Sequence, residues 1–290
     1  MKITLVTTFP SAIENKRLRE EAEKMGHKFK TSNLDNLVFK ITNSCLKVEG
    51  LTDLKTDLII VRGIFSSIKT ISAVVEGFRR RGVKVFDNNL LDHKYSISKV
   101  TDIVKLSLAS LPVPDTVHAR RFGDYPVMAK NLGYPVIVKS TRTGKGIRVF
   151  KFDTEKDLME FIDGCQEEGW AAKNFLIQEF IPYVYDLRIL VIGKKIFTMR
   201  RIPAEGEFRA NFSLGGRVET FDLDGKSQKL ALRALQAVGL SLGGVDLLIT
   251  KEKKPYLLEV NHTAGFLGME KATGENIAKV WLEHAISNAR

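Results

Sequence analysis

The stretch GVDLLIT (244–250), the loop KEKK (251–254) and PYLLEVN (255–261) read as two strands joined in a hairpin. Glu259 and Asn261 stand two apart, so on a strand they share one face. Folding the hairpin about the centre of its charged loop sets Asp246 opposite Glu259. Two carboxylates and an amide oxygen then meet across one strand pair. Three hard oxygen ligands with no His or Cys favour magnesium, which keeps water and phosphate oxygens in its other positions. Solvated residues on an open face are the alternative. Both strands are otherwise apolar, and leaving carboxylates unpaired there would cost several kcal/mol.

The rest of the chain alternates short apolar runs with amphipathic stretches. A strand at 2–7, a helix at 11–26 ended by Gly26, a strand at 57–62, a helix at 70–82 and a strand at 83–86 describe a small parallel α/β unit. A helix at 96–110 follows, and Pro112 and Pro114 mark a break. Beyond Pro135 the grammar changes. Strands at 135–139, 147–152, 175–181, 186–192, 196–201 and 218–221 mix with helices at 157–168, 227–238 and 276–289, an α+β pattern. The expected organisation is an N-terminal α/β domain (1–93), a central lobe (94–174) and a C-terminal lobe (175–290).

A 290-residue chain that is 44% hydrophobic and 27% charged is long enough for several packed lobes and is not composed like a disordered one. No run approaches the roughly 18 apolar residues of a membrane span. Cys45 and Cys165 are isolated and match no metal spacing, which suits a reducing compartment and a cytoplasmic enzyme. Net charge is +11, but the basic residues are scattered, without an arginine-rich arm or stacking aromatics. That argues against nucleic acid, and an acidic partner, meaning nucleotide phosphates plus a carboxylate-bearing acceptor, explains the sign of the charge as well.

The loop STRTGKG (140–146) carries Gly144 and Gly146, whose freedom lets backbone N–H groups approach an anion. Its spacing is neither that of a P-loop nor that of a dinucleotide fingerprint. Lys139 ends the strand before it and could meet the same phosphates; an ordinary hairpin turn is the plain alternative. QEFI (178–181) ends another strand, whose backbone could meet an adenine edge while Phe180 and Ile181 help wall it; plain core is the alternative. Asp186 and Arg188 alternate on the next strand. Arg201, Arg209 and Asn211 follow, and cations of this kind suit a triphosphate and the charge of an acyl-phosphate transition state. His262 adjoins the oxygen-bearing strand and is given no catalytic role. Nothing suggests covalent catalysis by serine or cysteine.

Taken in order, Lys139 with its loop, QEFI (178–181), DLR (186–188), EFRAN (207–211), GGVD (243–246), LEVN (258–261) and GMEKATG (268–274) resemble the ATP-grasp superfamily, and most closely its RimK-type branch. The resemblance implies a three-lobed fold with ATP between the central and C-terminal lobes. It implies that Lys99 and Lys139 contact phosphates under the Gly144–Gly146 loop, while Glu179, Phe180 and Ile181 line adenine. Asp186 would approach the ribose, Arg209 and Asn211 the phosphates, and Asp246, Glu259 and Asn261 would hold Mg2+ or Mn2+. The implied chemistry is an ADP-forming ligation of an amino acid such as glutamate to an acceptor carboxylate, on an acidic protein tail or carrier protein. A small-molecule acceptor (pterin, deazaflavin or dipeptide) and a non-catalytic nucleotide-binding module are the alternatives, and a homo-oligomer is compatible with each. SLGG (213–216) departs from glutamate-adding relatives, and NHTAG (261–265) is similar to relatives acting on an amino-group carrier protein.

Overall fold

In a computed structural model, which describes residues 1–42, 45–48, 55–64, 68–88, 98–141, 148–210 and 217–290, the alternating pattern resolves into three lobes. The first contains β1 (Lys2–Thr7), α1 (Ile13–Lys24), β2 (Lys28–Asn33), β3 (Phe39–Thr42), β4 (Cys45–Val48), β5 (Leu58–Val61), α2 (Ile68–Arg79) and β6 (Lys84–Asp87). Next come α3 (Lys99–Leu108), β7 (Thr116–Val117), α4 (Tyr125–Leu132), β8 (Val136–Ser140), β9 (Val149–Phe152), α5 (Glu155–Glu167) and β10 (Phe175–Glu179). Last are β11 (Tyr185–Ile192), β12 (Lys195–Ile202), β13 (Arg217–Thr220), α6 (Gly225–Val238), β14 (Leu242–Ile249), β15 (Pro255–Asn261), α7 (Leu267–Thr273) and α8 (Ile277–Asn288).

Each lobe has its own sheet. The first is parallel with order β2-β1-β5-β6, the fold expected of alternating strands and helices. The second, β7-β10-β8-β9, and the third, β13-β12-β11-β14-β15, are antiparallel. Two placements differ from the boundaries drawn at 94 and 175. β10 pairs with β8 along its whole length and so lies inside the second sheet. α3 packs instead on the third lobe, where its Leu106 shares a core with Ala231, Leu235 and Leu257. Side-chain burial decides both, and neither partner adjoins its segment in sequence. The strands β2, β3, β4 and β7 and the helices α4 and α7 were not expected from the pattern. In α4 a proline at the start of the helix reads as a break, although the first turn tolerates it. Among the described residues no helix is long and apolar enough to cross a membrane.

The period-two alternation of β11 explains how the third lobe is used. Leu187, Ile189 and Val191 face α6 and the core behind the sheet, while Asp186 and Arg188 take the other face. Farther along that second face, Leu190 and Ile192 meet Leu242 and α8. The same core contains Ile3, Leu5, Leu58, Ile60 and Phe86 of the first sheet, so α8 is the apolar joint between first and third lobes. Trp281 of α8 is 1% exposed, with its ring set edge-on to Phe86 at 5.6 Å. Removing the indole leaves a cavity that this joint cannot collapse to fill. Trp281→Ala should therefore lower unfolding free energy by about 3–5 kcal/mol, read from the urea midpoint at constant m-value.

Candidate active site

The second and third sheets face each other across a cavity of about 810 Å³, the size of a small-molecule site. Of the residues singled out by sequence, Lys99, Lys139, Glu179, Phe180 and Ile181 line it from α3 and the second sheet. Asp186, Arg201, Arg209, Asp246, Glu259 and Asn261 line it from the third lobe. Gly144, Gly146 and Asn211 lie outside the described residues.

At one end two lysines converge. The Lys139 ammonium donates to Gln178 Oε1 at 2.5 Å, and Gln178 Nε2 donates to Thr116 Oγ1 at 2.8 Å. Lys99 reaches the Ser140 carbonyl at 3.2 Å. Burial pushes the Lys139 ammonium down to about 8; Glu259 opposes this, and the like charge of Lys99 adds to it. A cation this weakly supported by its own protein is suited to meet an incoming anion. Part of the lining is apolar: Phe180 carries Lys151 over its ring at 5.0 Å, and Ile137, Ile181, Met199 and Leu248 line the same cavity. Glu179 Oε1 accepts from the Asp115 backbone N–H at 2.9 Å, which fixes the strand end.

The floor is an ion-pair cluster. Arg201 donates to both oxygens of Asp186, at 2.5 and 2.9 Å, and lies 3.4 Å from Asp246. Arg188 grips Asp246 through both of its oxygens. Burial works to raise both carboxylates. For Asp246 its two arginines outweigh that and hold it down at about 2, whereas Asp186 is pushed up to about 6. Asp246 therefore carries the firm negative charge. Arg201 is held protonated by the two aspartates despite its burial.

Asp246 does stand opposite Glu259, as the hairpin symmetry predicts, but a bulge makes it so. Near the turn the strands pair with Leu247 opposite Leu257, and the register shifts before Asp246. Leu258 is the extra residue, and without it Asp246 would face Leu258. Asn261 Nδ2 donates to Glu259 Oε1 at 3.1 Å. Asn261 Oδ1 and the second Glu259 oxygen accept no hydrogen bond from the described residues. Among the described residues no group of three His, Cys, Asp or Glu side chains is placed to hold a metal. The oxygen set is thus two carboxylates and an amide. Glu259 and Asn261 fit a hard cation as they stand, whereas Asp246 fits one in exchange for an arginine contact.

Arg209 pairs with Glu207 at 2.9 Å on a loop pinned by the Tyr183 hydroxyl, which donates to the Phe208 carbonyl at 2.8 Å. Sequence reasoning placed Gln178 and Lys271 within motifs but gave them no role of their own, and it passed over Tyr183, Met199 and Leu248. For Met199 and Leu248 a signal existed, because they share strand parity with Arg201 and Asp246.

A family model described as a RimK-like ATP-grasp domain matches residues 99–285. The probable alpha-L-glutamate ligase of Marinomonas sp. (strain MWYL1) is 30% identical over 293 residues, covering 98% of this chain and 95% of that protein. The probable alpha-L-glutamate ligase 2 of Shewanella amazonensis is 32% identical over 291 residues, covering 98% and 95%. Among solved structures, the ATP-grasp ligase PsnB complexed with a phosphomimetic variant of its minimal precursor, Mg and ADP superposes with a TM-score of 0.75. Its identity is 19%, over 98% of this chain and 97% of that one. The macrocyclase MdnC bound with precursor peptide MdnA from Microcystis aeruginosa gives 0.71 at 18% identity, over 99% and 100%. Both structures share this chain's fold.

The lowered Lys139 ammonium has a measurable sign. Unfolded, the lysine keeps its proton to about 10.5; folded, it loses it near 8, so stability rises with pH between those values. Lys139→Met removes the charging cost. Its urea-unfolding free energy should exceed wild type by on the order of 2–3 kcal/mol below pH 8, an advantage that shrinks toward pH 10.5. A difference that does not vary with pH would contradict the assignment.

Proposed function

The chain belongs to the RimK-like ATP-grasp family of ATP-dependent carboxylate–amine ligases, and on that premise we propose that it joins an amino acid to the carboxylate of an acidic acceptor through an acyl phosphate. The observation that carries this reading is the meeting, in one cavity, of two lysines, an apolar lining and Glu259 and Asn261 oxygens that accept no hydrogen bond from the described residues.

The γ-phosphoryl group of ATP passes to an oxygen of the acceptor carboxylate, and ADP leaves. The amine nitrogen then attacks the carbonyl carbon, inorganic phosphate leaves, and the nitrogen gives up its surplus proton to solvent. Phe180 and Ile181 hold the adenine in the apolar part of the cavity with Met199 and Leu248. Asp186 serves the ribose through lone pairs left over from Arg201. Lys99 and Lys139 hold the phosphates, whose negative charge favours the protonated form of Lys139. Glu259 and Asn261 would hold magnesium, and Asp246 would join them in exchange for an arginine contact. When bound, magnesium would neutralise the charge that develops on the phosphate oxygens during transfer. Arg209, at the cavity wall, stabilises the charge of the transferring group. Arg201, engaged by two aspartates, keeps those carboxylates in register and lends positive potential to the floor.

Support for the donor and acceptor comes from relatives named as probable alpha-L-glutamate ligases and from fold neighbours solved with precursor peptides. Glutamate or a similar amino acid is the amine. The net charge of +11 and the cations Arg209 and Lys271 at the cavity favour an acidic protein tail or carrier protein as acceptor.

Glu259→Gln keeps shape and hydrogen bonding while removing one charge. It should fold with an unchanged melting temperature, yet lose magnesium-dependent ADP formation by at least about a hundredfold. Near wild-type turnover at limiting magnesium would place the metal elsewhere.

A further inference from the structure

Directly after Asn261 comes His262, whose side chain is 2% exposed and lies outside the cavity lining. Its Nε2 lies 3.0 Å from Asp102 Oδ2, and the Asp102 side chain is 7% exposed. A carboxylate can only accept, so Nε2–H donates. Asp102 sits on α3, three residues after Lys99 and so on nearly the same helix face. The backbone carbonyl of His262 accepts from the buried Asn88 side chain, just past the end of β6. One residue therefore touches the end of the first sheet, the helix that carries Lys99, and the strand that carries Glu259 and Asn261. Among the described residues, His262 Nδ1 and Asp102 Oδ1 are buried and have no hydrogen-bond partner. The single bond between the two side chains is thus the polar attachment of each, and loss of either leaves the other stranded in apolar surroundings.

We propose that His262 and Asp102 are positioning residues that set the Lys99 ammonium at a fixed spacing from the Glu259 and Asn261 oxygens. The inference rests on the nucleotide reading of this site. A lysine that meets phosphates and oxygens that hold the metal on those phosphates must share one frame, and neither α3 nor β15 supplies it alone. Adenine binding depends on β10 and the face of the third sheet, so it stands apart from this bond. The pair is therefore expected to govern how strongly magnesium and ADP favour each other, which is a coupling between two ligands.

The test is titration calorimetry of ADP with and without magnesium chloride on the full chain. In wild type, magnesium should tighten ADP. His262→Leu should shrink that tightening at least about fivefold while leaving ADP affinity without magnesium within about twofold. The double variant with Asp102→Asn should be no worse than His262→Leu, because the two residues act as one unit. His262→Gln, which returns an N–H donor at similar reach, should bring the tightening back to within about twofold of wild type. A folded His262→Leu protein with wild-type tightening and only a lower melting temperature would overturn the proposal. If His262→Leu does not fold, Asp102→Asn alone decides, with a loss of about threefold expected and an unchanged value overturning the idea. If magnesium leaves ADP affinity of the wild type unaltered, the nucleotide reading itself fails, and this inference fails with it.

Discussion

Arg201 lies buried between Asp186 and Asp246, and the arrangement of the cavity follows from that contact. A guanidinium and two carboxylates taken out of water are tolerable only with close geometry, and removing one member of such a set costs about 3–5 kcal/mol. Three antiparallel strands supply the geometry, because Asp186 pairs in register with Arg201 and Arg188 with Asp246. The cluster therefore locks β11, β12 and β14 side to side on the face that a ligand would meet. It also gives that face a fixed pattern of charge, with Asp246 firmly anionic and Asp186 the carboxylate nearest to neutrality. The fold itself thus presets the pattern of charge on this face.

The same alternation that exposes the cluster buries the opposite face. Leu187, Ile189 and Val245 close against α6, and Leu106 of α3 joins them, so Lys99 is carried by the core of the lobe it faces. Lys139 comes from the second sheet, whose own aromatic-rich core holds it independently. The two lysines thus belong to different packing units, and both line the cavity. That division suits a site that must admit a large anion and then grip it from two sides.

How much of this was legible in the sequence depends on the range of the interaction. Asp246, Glu259 and Asn261 could be grouped because they sit within one hairpin, where turn position nearly fixes register. The bulge at Leu258 could not be read, since a single extra residue leaves no mark in an apolar run. The arginine partners of Asp246 were out of reach for a different reason. Arg188 and Arg201 are paired to it through the order β12-β11-β14, and strand order across 58 residues of chain cannot be taken from periodicity. The central-lobe boundary slipped for the same cause, because β10 and α3 each pack on elements remote in sequence. His262 looked like an ordinary structural histidine, and only the distance to Asp102 shows what it ties together.

The central claim is that an acceptor carboxylate is activated by phosphorylation before an amine displaces the phosphate. Transfer of oxygen isotope tests it most directly. A synthetic peptide ending in glutamate, with its carboxylates labelled with heavy oxygen, is incubated with ATP, magnesium and L-glutamate, and the released phosphate is weighed by mass spectrometry. The account predicts one heavy oxygen in the phosphate for each ADP formed. ADP formed with unlabelled phosphate, or AMP and pyrophosphate in place of ADP, would contradict it.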